Sequence, residues 1–361
     1  MSTLLHFRDF FYRDEQMYFS ATDGNALFKM YKDESVAQYI GGFDEEDYMG
    51  QNLHSNVLLI GDIAYFIPLN GKGISTFNIS QNQIRTYCYK DNQLLRCTKG
   101  FYDGKYIYLI PADNRSPFLR FDMETHQYTL LNAIMDELKK EKIEMVAYFS
   151  FIHNRKIYIV PYGTESLYCY DIGMEKCQRI LWSKESMGKC VVADDYIAVT
   201  NPKEGMISLL SHQGKPIKTF DRHSGSDTLL IPLKNRVLLF DNEYRTTGVI
   251  SMDELTIKES DTFIPREMRR IIQTGRMFSN YVILDEKEDE FILFSSCGTG
   301  YIHVKNDIGQ LHKVYADNTG NDRIINAQQE MLRKKMEKGF VIEGDSSGCN
   351  LELFLSVVRD L

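Results

Sequence analysis

The chain has 361 residues, of which 43% are hydrophobic and 25% are charged. This length and composition exclude a disordered chain, a collagen-like fibre and a membrane-embedded bundle, and they allow a sizeable buried core. The formal net charge of -8 argues against nucleic acid as a partner over a broad surface, because a phosphate backbone requires a basic footprint.

The N-terminal segment favours a cytoplasmic location. Arg8 and Asp9 interrupt the apolar stretch that a secretory signal needs, and no run approaches the ~20 apolar residues of a membrane-spanning helix. The seven cysteines are scattered and include no Cys-x-x-Cys pair, which favours reduced thiols over a disulfide framework. We therefore expect a cytoplasmic protein without a membrane span.

An apolar strand recurs along most of the chain. Its copies align on seven anchor positions: Tyr18, Tyr65, Tyr108, Tyr158, Ala198, Leu238 and Ile292. The anchors are separated by 47, 43, 50, 40, 40 and 54 residues, a period typical of propeller blades. A second strand ends 12 or 13 residues after each anchor. This constant offset indicates seven copies of one hairpin.

Each repeat predicts four strands. A short polar turn separates the anchor strand from an apolar strand before it, and a fourth strand follows the second, as at residues 83–87 and 128–131. One such sheet cannot cover both its faces, whereas seven sheets arranged radially cover one another. The pattern predicts an all-β fold, a seven-bladed β-propeller of four-stranded antiparallel blades over residues 5–316. A β-sandwich of unrelated hairpins is the competing interpretation.

The repeats resemble the blades of the broad β-propeller superfamily, and they look most like divergent kelch-type or quinoprotein-type blades. The resemblance covers roughly residues 5–316 and rests on architecture. The single tryptophan, Trp182, is not followed by aspartate as in WD40 blades, and the pair Gly41-Gly42 occurs once, so the kelch double glycine is not repeated. The resemblance implies a propeller and transfers no active residues.

The pattern changes to a helical period at the C-terminus. Asn321 or Asp322 can cap a helix that ends at Gly339, and a second amphipathic helix starts after Asn350. Because their apolar stripes must be buried, we expect a helical tail, residues 321–361, packed on the propeller. The alternative is an interface with a second chain, and hence a self-assembling protein.

Two connections are longer than a turn. They are residues 41–56, which contain the acidic run 44–47, and residues 260–278, which contain four arginines. A third connection, Asn132 to Lys142, predicts a short helix.

The loops between the second and third strands of the blades are the candidate binding face, because loops vary while the sheets hold their ends. Equivalent positions in these loops carry Lys72, Arg115 and Arg245. Together with the arginines of 260–278, they predict an electropositive mouth for an acidic sugar, a phosphate ester or an acidic peptide. The alternative is that these are ordinary solvated charges, neutralised by acidic neighbours such as the run 44–47.

Other side chains on this face suggest a glycan. Tyr162 can stack on a sugar ring, and Asp241 with Glu243 forms a carboxylate pair that can serve acid–base chemistry or simply stabilise a turn. The eight histidines never fall at metal-ligand spacing, and no dinucleotide or nucleophile motif is present. We therefore expect no metal, no cofactor and no assignable catalytic residue.

Two functions follow from this pattern. The leading hypothesis is a non-catalytic binding or scaffold protein whose loop face engages a protein partner or an anionic small molecule. The rival is an enzyme that acts on a carbohydrate or acidic metabolite at the propeller mouth. The enzyme hypothesis would be favoured if one pocket brought together the side chains at positions 72, 115, 241, 243 and 245.

Overall fold

The structure is a computed structural model. It describes residues 3–143, 149–161, 166–181, 190–193, 195–201, 205–221, 229–233, 235–240, 247–260, 280–285, 290–294, 300–305 and 308–337. The described chain divides into two compact units. One contains blades 1 and 2 and the C-terminal helix, and the other contains most of blades 3 to 7.

The first unit is built on two sheets whose strands follow one another in chain order. Blade 1 contains β1 (Phe7–Arg13), β2 (Gln16–Ala21), β3 (Leu27–Tyr31) and β4 (Val36–Gly41). Blade 2 contains β5 (His54–Ile60), β6 (Ile63–Pro68), β7 (Gly73–Asn78) and β8 (Gln83–Cys88).

The remaining five sheets repeat the same order of strands. Blade 3 contains β9 (Cys97–Tyr102), β10 (Tyr106–Pro111), β11 (Leu119–Asp122) and β12 (Tyr128–Leu130). Blade 4 contains β13 (Phe149–His153), β14 (Lys156–Val160), β15 (Ser166–Asp171) and β16 (Lys176–Leu181). Blade 5 contains β17 (Cys190–Val192), β18 (Ile197–Asn201), β19 (Met206–Leu210) and β20 (Pro216–Asp221). Blade 6 contains β21 (Leu229–Leu233), β22 (Arg236–Phe240), β23 (Thr247–Ser251) and β24 (Thr256–Ser260). Blade 7 contains β25 (Asn280–Asp285), β26 (Glu290–Phe294), β27 (Gly300–Lys305) and β28 (Ile308–Lys313).

The strand registers confirm the predicted repeat. In five blades the anchor pairs with the residue seven positions before it: Phe11 with Tyr18, Leu58 with Tyr65, Phe151 with Tyr158, Val191 with Ala198 and Ile231 with Leu238. Blade 7 has a longer first hairpin, in which Val282 pairs with Ile292. The fold class is therefore all-β, a seven-bladed β-propeller with four antiparallel strands in each blade.

Large aromatic side chains on or next to the strands fill the space between neighbouring blades. In the first unit, the ring of Tyr18 stacks on Phe11 with centroids 4.7 Å apart and contacts Phe77 of blade 2. In the second unit, Phe118 of blade 3 meets Tyr170 of blade 4 edge to face at 5.3 Å. Burial of these aromatic faces drives the stacking of blades.

Helix α1 (Asn132–Lys140) confirms the predicted short helix. It follows β12 and buries Ile134, Met135 and Leu138 against the apolar side chains of blades 3 and 4. These three residues recur at helical spacing, so one side of the helix completes the core while the other stays polar.

Helix α2 (Asn318–Glu337) starts three residues before the predicted cap at Asn321. Asp317 is the actual cap, because its Oδ1 accepts a hydrogen bond of 2.7 Å from the backbone N–H of Gly320. A Cβ at Gly320 would lie 2.4 Å from a ring carbon of Phe28, so this glycine permits the helix to approach blade 1. The second predicted helix, after Asn350, lies outside the described residues.

Helix α2 contacts blade 1 and its loops. The guanidinium of Arg323 lies 3.6 Å from the centre of the Tyr48 ring and donates two hydrogen bonds of 3.2 Å to the carbonyl of Asn25. Just before the helix, β29 (Tyr315–Ala316) pairs parallel with β4 as a fifth strand of blade 1. None of the helices in the described part of the chain combines the length and apolarity that crossing a membrane requires.

Candidate functional site

Lys72 lies in the loop between β6 and β7, as predicted, but it is engaged by the acidic insertion. Its backbone N–H donates a hydrogen bond of 2.8 Å to Glu46 Oε1, and its ammonium donates to the carbonyl of Glu45. Burial raises the pKa of Glu46, while the bonds from the loop lower it. This contact supports the interpretation that the run 44–47 neutralises the loop charge.

Arg115 lies in the loop between β10 and β11 and belongs to a turn organised by Asp113. The guanidinium donates to Asp113 Oδ2 at 2.9 Å, and the backbone N–H of Arg115 donates to Oδ1 at 3.0 Å. Aspartate commonly closes turns in this way. The side chain of Arg115 is 77% exposed, so it remains accessible to a ligand.

The other predicted site residues are Tyr162, Asp241, Glu243 and Arg245. They and residues 261–278 of the longer connection lie outside the described residues. The electropositive mouth and the carboxylate pair therefore stay predictions.

A polar set that the sequence analysis missed lies on the first strands of three consecutive blades. The residue nine positions before the anchor is Asp9 in β1, Asn56 in β5 and Lys99 in β9, whereas blades 4 and 6 carry Phe149 and Leu229 there. We call Asp9, Asn56 and Lys99 the first-strand site. β1 and β5 are both irregular in register close to this position, and bulges redirect side chains.

Two members of the site join neighbouring blades. Asp9 Oδ2 accepts a hydrogen bond of 3.0 Å from the backbone N–H of Val57 in β5. Asn56 Oδ1 accepts one of the same length from the N–H of Gly100 in β9. First strands form one edge of each sheet, and backbone N–H groups on such an edge require acceptors from elsewhere. The repeated position therefore links β1 to β5 and β5 to β9.

The charges of the site are perturbed by their surroundings. Burial raises the pKa of Asp9 to about 6, although hydrogen bonds from Val57 and Phe10 and the charge of Lys99 oppose the rise. Desolvation by the surrounding protein lowers the pKa of Lys99, although Asp9 opposes that change and solvent still reaches the side chain. Perturbed groups of opposite charge that remain accessible are typical of functional sites.

Further polar groups lie at the same end of blade 1. Arg8 Nε donates a hydrogen bond of 3.0 Å to Asn52 Oδ1, and His6 Nδ1 lies 2.6 Å from Asp23 Oδ2. Backbone bonds through Thr22 tie these segments together. The first-strand site thus begins next to the loop face. Its single carboxylate beside an ammonium suits an anion better than a metal cation, which prefers several oxygen ligands.

The first-strand site makes a prediction about stability. Replacing Asp9→Asn should raise the free energy of unfolding at pH 8 by about 1–2 kcal/mol. The amide oxygen keeps the bond from Val57, and removal of a charge that burial disfavours by about 3 kcal/mol outweighs loss of the acceptor for the N–H of Phe10, which costs about 1 kcal/mol or slightly more. Folding raises the pKa of Asp9, so its destabilising effect is absent at pH 3.5 and complete above pH 6. Urea unfolding of the wild type and the variant at pH 8 and pH 3.5 measures the difference in the free energy of unfolding. A variant that is less stable than the wild type at pH 8 would contradict the prediction.

Comparison with known proteins shows the fold. No protein-family model and no curated protein matches the sequence. The extracellular domain of the putative hybrid two component system BT3049 from B. thetaiotaomicron gives a TM-score of 0.57 at 12% identity, over 85% of this chain and 40% of that chain. Virginiamycin B lyase from Staphylococcus aureus gives a TM-score of 0.54 at 9% identity, over 86% of this chain and 96% of that chain. The computationally designed Ika8 protein gives a TM-score of 0.53 at 10% identity, over 87% of this chain and 98% of that chain. At these identities the likeness shows the propeller fold alone.

Proposed function

We propose that this protein is a non-catalytic, cytoplasmic binding propeller that holds an anionic small molecule at the first-strand site. The observation that carries the proposal is Lys99, an exposed residue whose ammonium has its pKa lowered by the protein around it. In blades 1 and 2 the same position holds the hydrogen-bond acceptors that join strands, whereas blade 3 places a cation there.

A ligand anion would offset the unfavourable environment of Lys99. A lysine that protein has partly desolvated is stabilised by a negative charge nearby, and a charge-assisted hydrogen bond to a carboxylate or phosphate is stronger than a neutral one. The turn beside Asp113 leaves Arg115 exposed as a separate cation of the loop face. An acidic sugar or a phosphate ester fits the chemistry of Lys99. An acidic segment of a protein partner is the other ligand class that the sequence predicts.

One observation favours the enzyme as a second candidate function. The pKa of Asp9, about 6, lies near neutrality, which is where a general acid or base works best. Turnover of a phosphorylated or acidic sugar by the wild-type protein, lost in Asp9→Asn, would replace the binding function by this one. The resemblance to kelch-type or quinoprotein-type blades stays a prediction and favours neither function.

Replacing Lys99→Met should weaken binding of an anion at least about tenfold, since a charge-assisted hydrogen bond contributes about 1.5–3 kcal/mol. The experiment is calorimetric titration with inorganic sulfate, inorganic phosphate, glucose 6-phosphate and glucuronate. Lys90→Met is the matched control, because Lys90 is exposed and contacts the ring of Tyr89. Equal affinity in Lys99→Met and Lys90→Met, or no binding of any of the four compounds to the wild type, would contradict the proposal.

A further inference from the structure

We propose that anion binding at the first-strand site is coupled to the uptake of one proton by Asp9. The inference rests on the proposed function and adds its regulation: acidification would strengthen binding and alkalinity would weaken it. Three features of the site carry it: Asp9 and Lys99 lie on first strands that are linked through β5, the Asp9 carboxylate is held by two backbone bonds, and a neutral residue occupies its position in blade 2.

The first feature is the arrangement of charge. Asp9 bonds to the residue after Asn56, and Asn56 bonds to the residue after Lys99, so hydrogen bonds between neighbouring first strands bring the two charged groups to the same site. The positive charge of Lys99 lowers the pKa of Asp9, Asn56 is neutral, and Arg8, the residue before Asp9, directs its Nε to Asn52. An anion that binds Lys99 therefore comes within electrostatic range of the Asp9 carboxylate. Two negative charges in a partly desolvated site raise each other's pKa, so one of them takes up a proton.

The second feature is that protonation breaks no hydrogen bond. Each oxygen of the carboxylate accepts one bond, Oδ1 from the N–H of Phe10 at 2.9 Å and Oδ2 from the N–H of Val57 at 3.0 Å. A carboxylic acid keeps acceptor capacity on its oxygens and gains an O–H donor. A proton from solvent adds to Asp9 without releasing β5, and the new donor is available to the anion.

The third feature is that blade 2 makes the same connection without a charge. Asn56 accepts from Gly100 at 3.0 Å, as Asp9 accepts from Val57, so linking neighbouring first strands does not require a carboxylate. The link between neighbouring first strands therefore does not explain why blade 1 carries a titratable group at this position. Since its pKa is about 6, protonation at pH 7 is opposed by only about tenfold, which an adjacent anion can overcome.

Calorimetric titration with inorganic sulfate tests the coupling. Sulfate remains a dianion between pH 5.5 and 8, so any proton uptake belongs to the protein. Titrations at one pH in buffers of different ionisation enthalpy give the number of protons bound. We expect the uptake to approach one proton above pH 7, and we expect the affinity to fall up to about tenfold for each pH unit above 6.

The variant Asp9→Asn separates the coupling from binding itself. It should bind sulfate with no proton uptake, with an affinity independent of pH, and at least about tenfold more tightly than the wild type at pH 8. Asp91→Asn is the control, an exposed aspartate in the same compact unit. Sulfate binding to the wild type without proton uptake would overturn this inference and leave the proposed function intact. Absence of sulfate binding to either protein at every pH would overturn the proposed function and this inference with it.

Discussion

Acidification from pH 6.5 to 3 should remove up to about 4–5 kcal/mol of stability through a single buried side chain, His54. The residue is 5% exposed at the start of β5, and its ring lies between Phe43, at 4.4 Å, and Phe66, at 5.4 Å. Nδ1 bonds to Ser20 Oγ at 2.9 Å, and Nε2 is buried without a hydrogen-bond partner among the described residues. Burial therefore lowers the pKa of His54 to about 3.

The sign of the effect follows from the two states. The unfolded chain protonates His54 near the ordinary value of 6.5, whereas the folded chain protonates it only near pH 3. Titration of His54 therefore does not change the free energy of unfolding above pH 6.5, and it lowers that free energy progressively below pH 6.5. The contribution of Asp9 to the pH dependence of stability has the opposite sign. Folding raises the pKa of Asp9, so its protonation as the pH falls from 6 to 3.8 stabilises the folded protein.

A double variant isolates the contribution of His54. Phe7 occupies the equivalent position in blade 1 and is fully buried, so His54→Phe combined with Ser20→Ala should leave the core apolar and satisfied. Guanidinium unfolding between pH 4 and 7.5 should give a shallower loss of stability in this variant than in the wild type. His126→Gln, at an exposed turn, is the control. Parallel pH profiles for the wild type and the double variant would contradict the prediction.

The hairpins could be predicted from the sequence because their determinants are local. The alternation of apolar residues, the polar turns and the fixed offset after each anchor all act within about 20 residues, and the observed registers follow them. The start of α2 could not be predicted in this way. A glycine disfavours a helix when only its neighbours in the sequence are considered. At position 320 a glycine is required because the helix packs closely against Phe28, which is far away in the chain.

The first-strand site could not be predicted from local sequence patterns for a related reason. Asp9 and Val57, like Asn56 and Gly100, are separated by more than 40 residues, so no local pattern links them. The signal was nevertheless present, since aligning the anchors places a polar residue at one position of blades 1 to 3. Lys72 shows the same limit. Its loop was predicted correctly, and neutralisation by the run 44–47 was one of the two interpretations, but the atoms of Glu45 and Glu46 that it contacts depend on the packing of a separate insertion.

Replacing Gly73→Ala should lower the free energy of unfolding by about 3 kcal/mol or more, which is at the upper end of overpacking effects. Gly73 begins β7 and pairs with Cys88 of β8. An added Cβ would lie 1.9 Å from the carbonyl oxygen of Tyr87 and 2.7 Å from its carbonyl carbon. Both atoms are backbone, so relief requires displacement of the fourth strand of blade 2.

The same displacement should disturb the acidic insertion, because the carboxylate of Glu46 accepts bonds from the backbone N–H groups of Lys72 and Gly73. Gly173→Ala is the control, since its Cβ would meet only Asp171 Oδ1 at 3.5 Å and should change stability by no more than about 0.5 kcal/mol. Urea unfolding of both variants measures the difference. If Gly73→Ala is as stable as Gly173→Ala, β8 yields to a methyl group, and the close third-to-fourth strand contact that recurs at Gly300 is not a requirement of these blades.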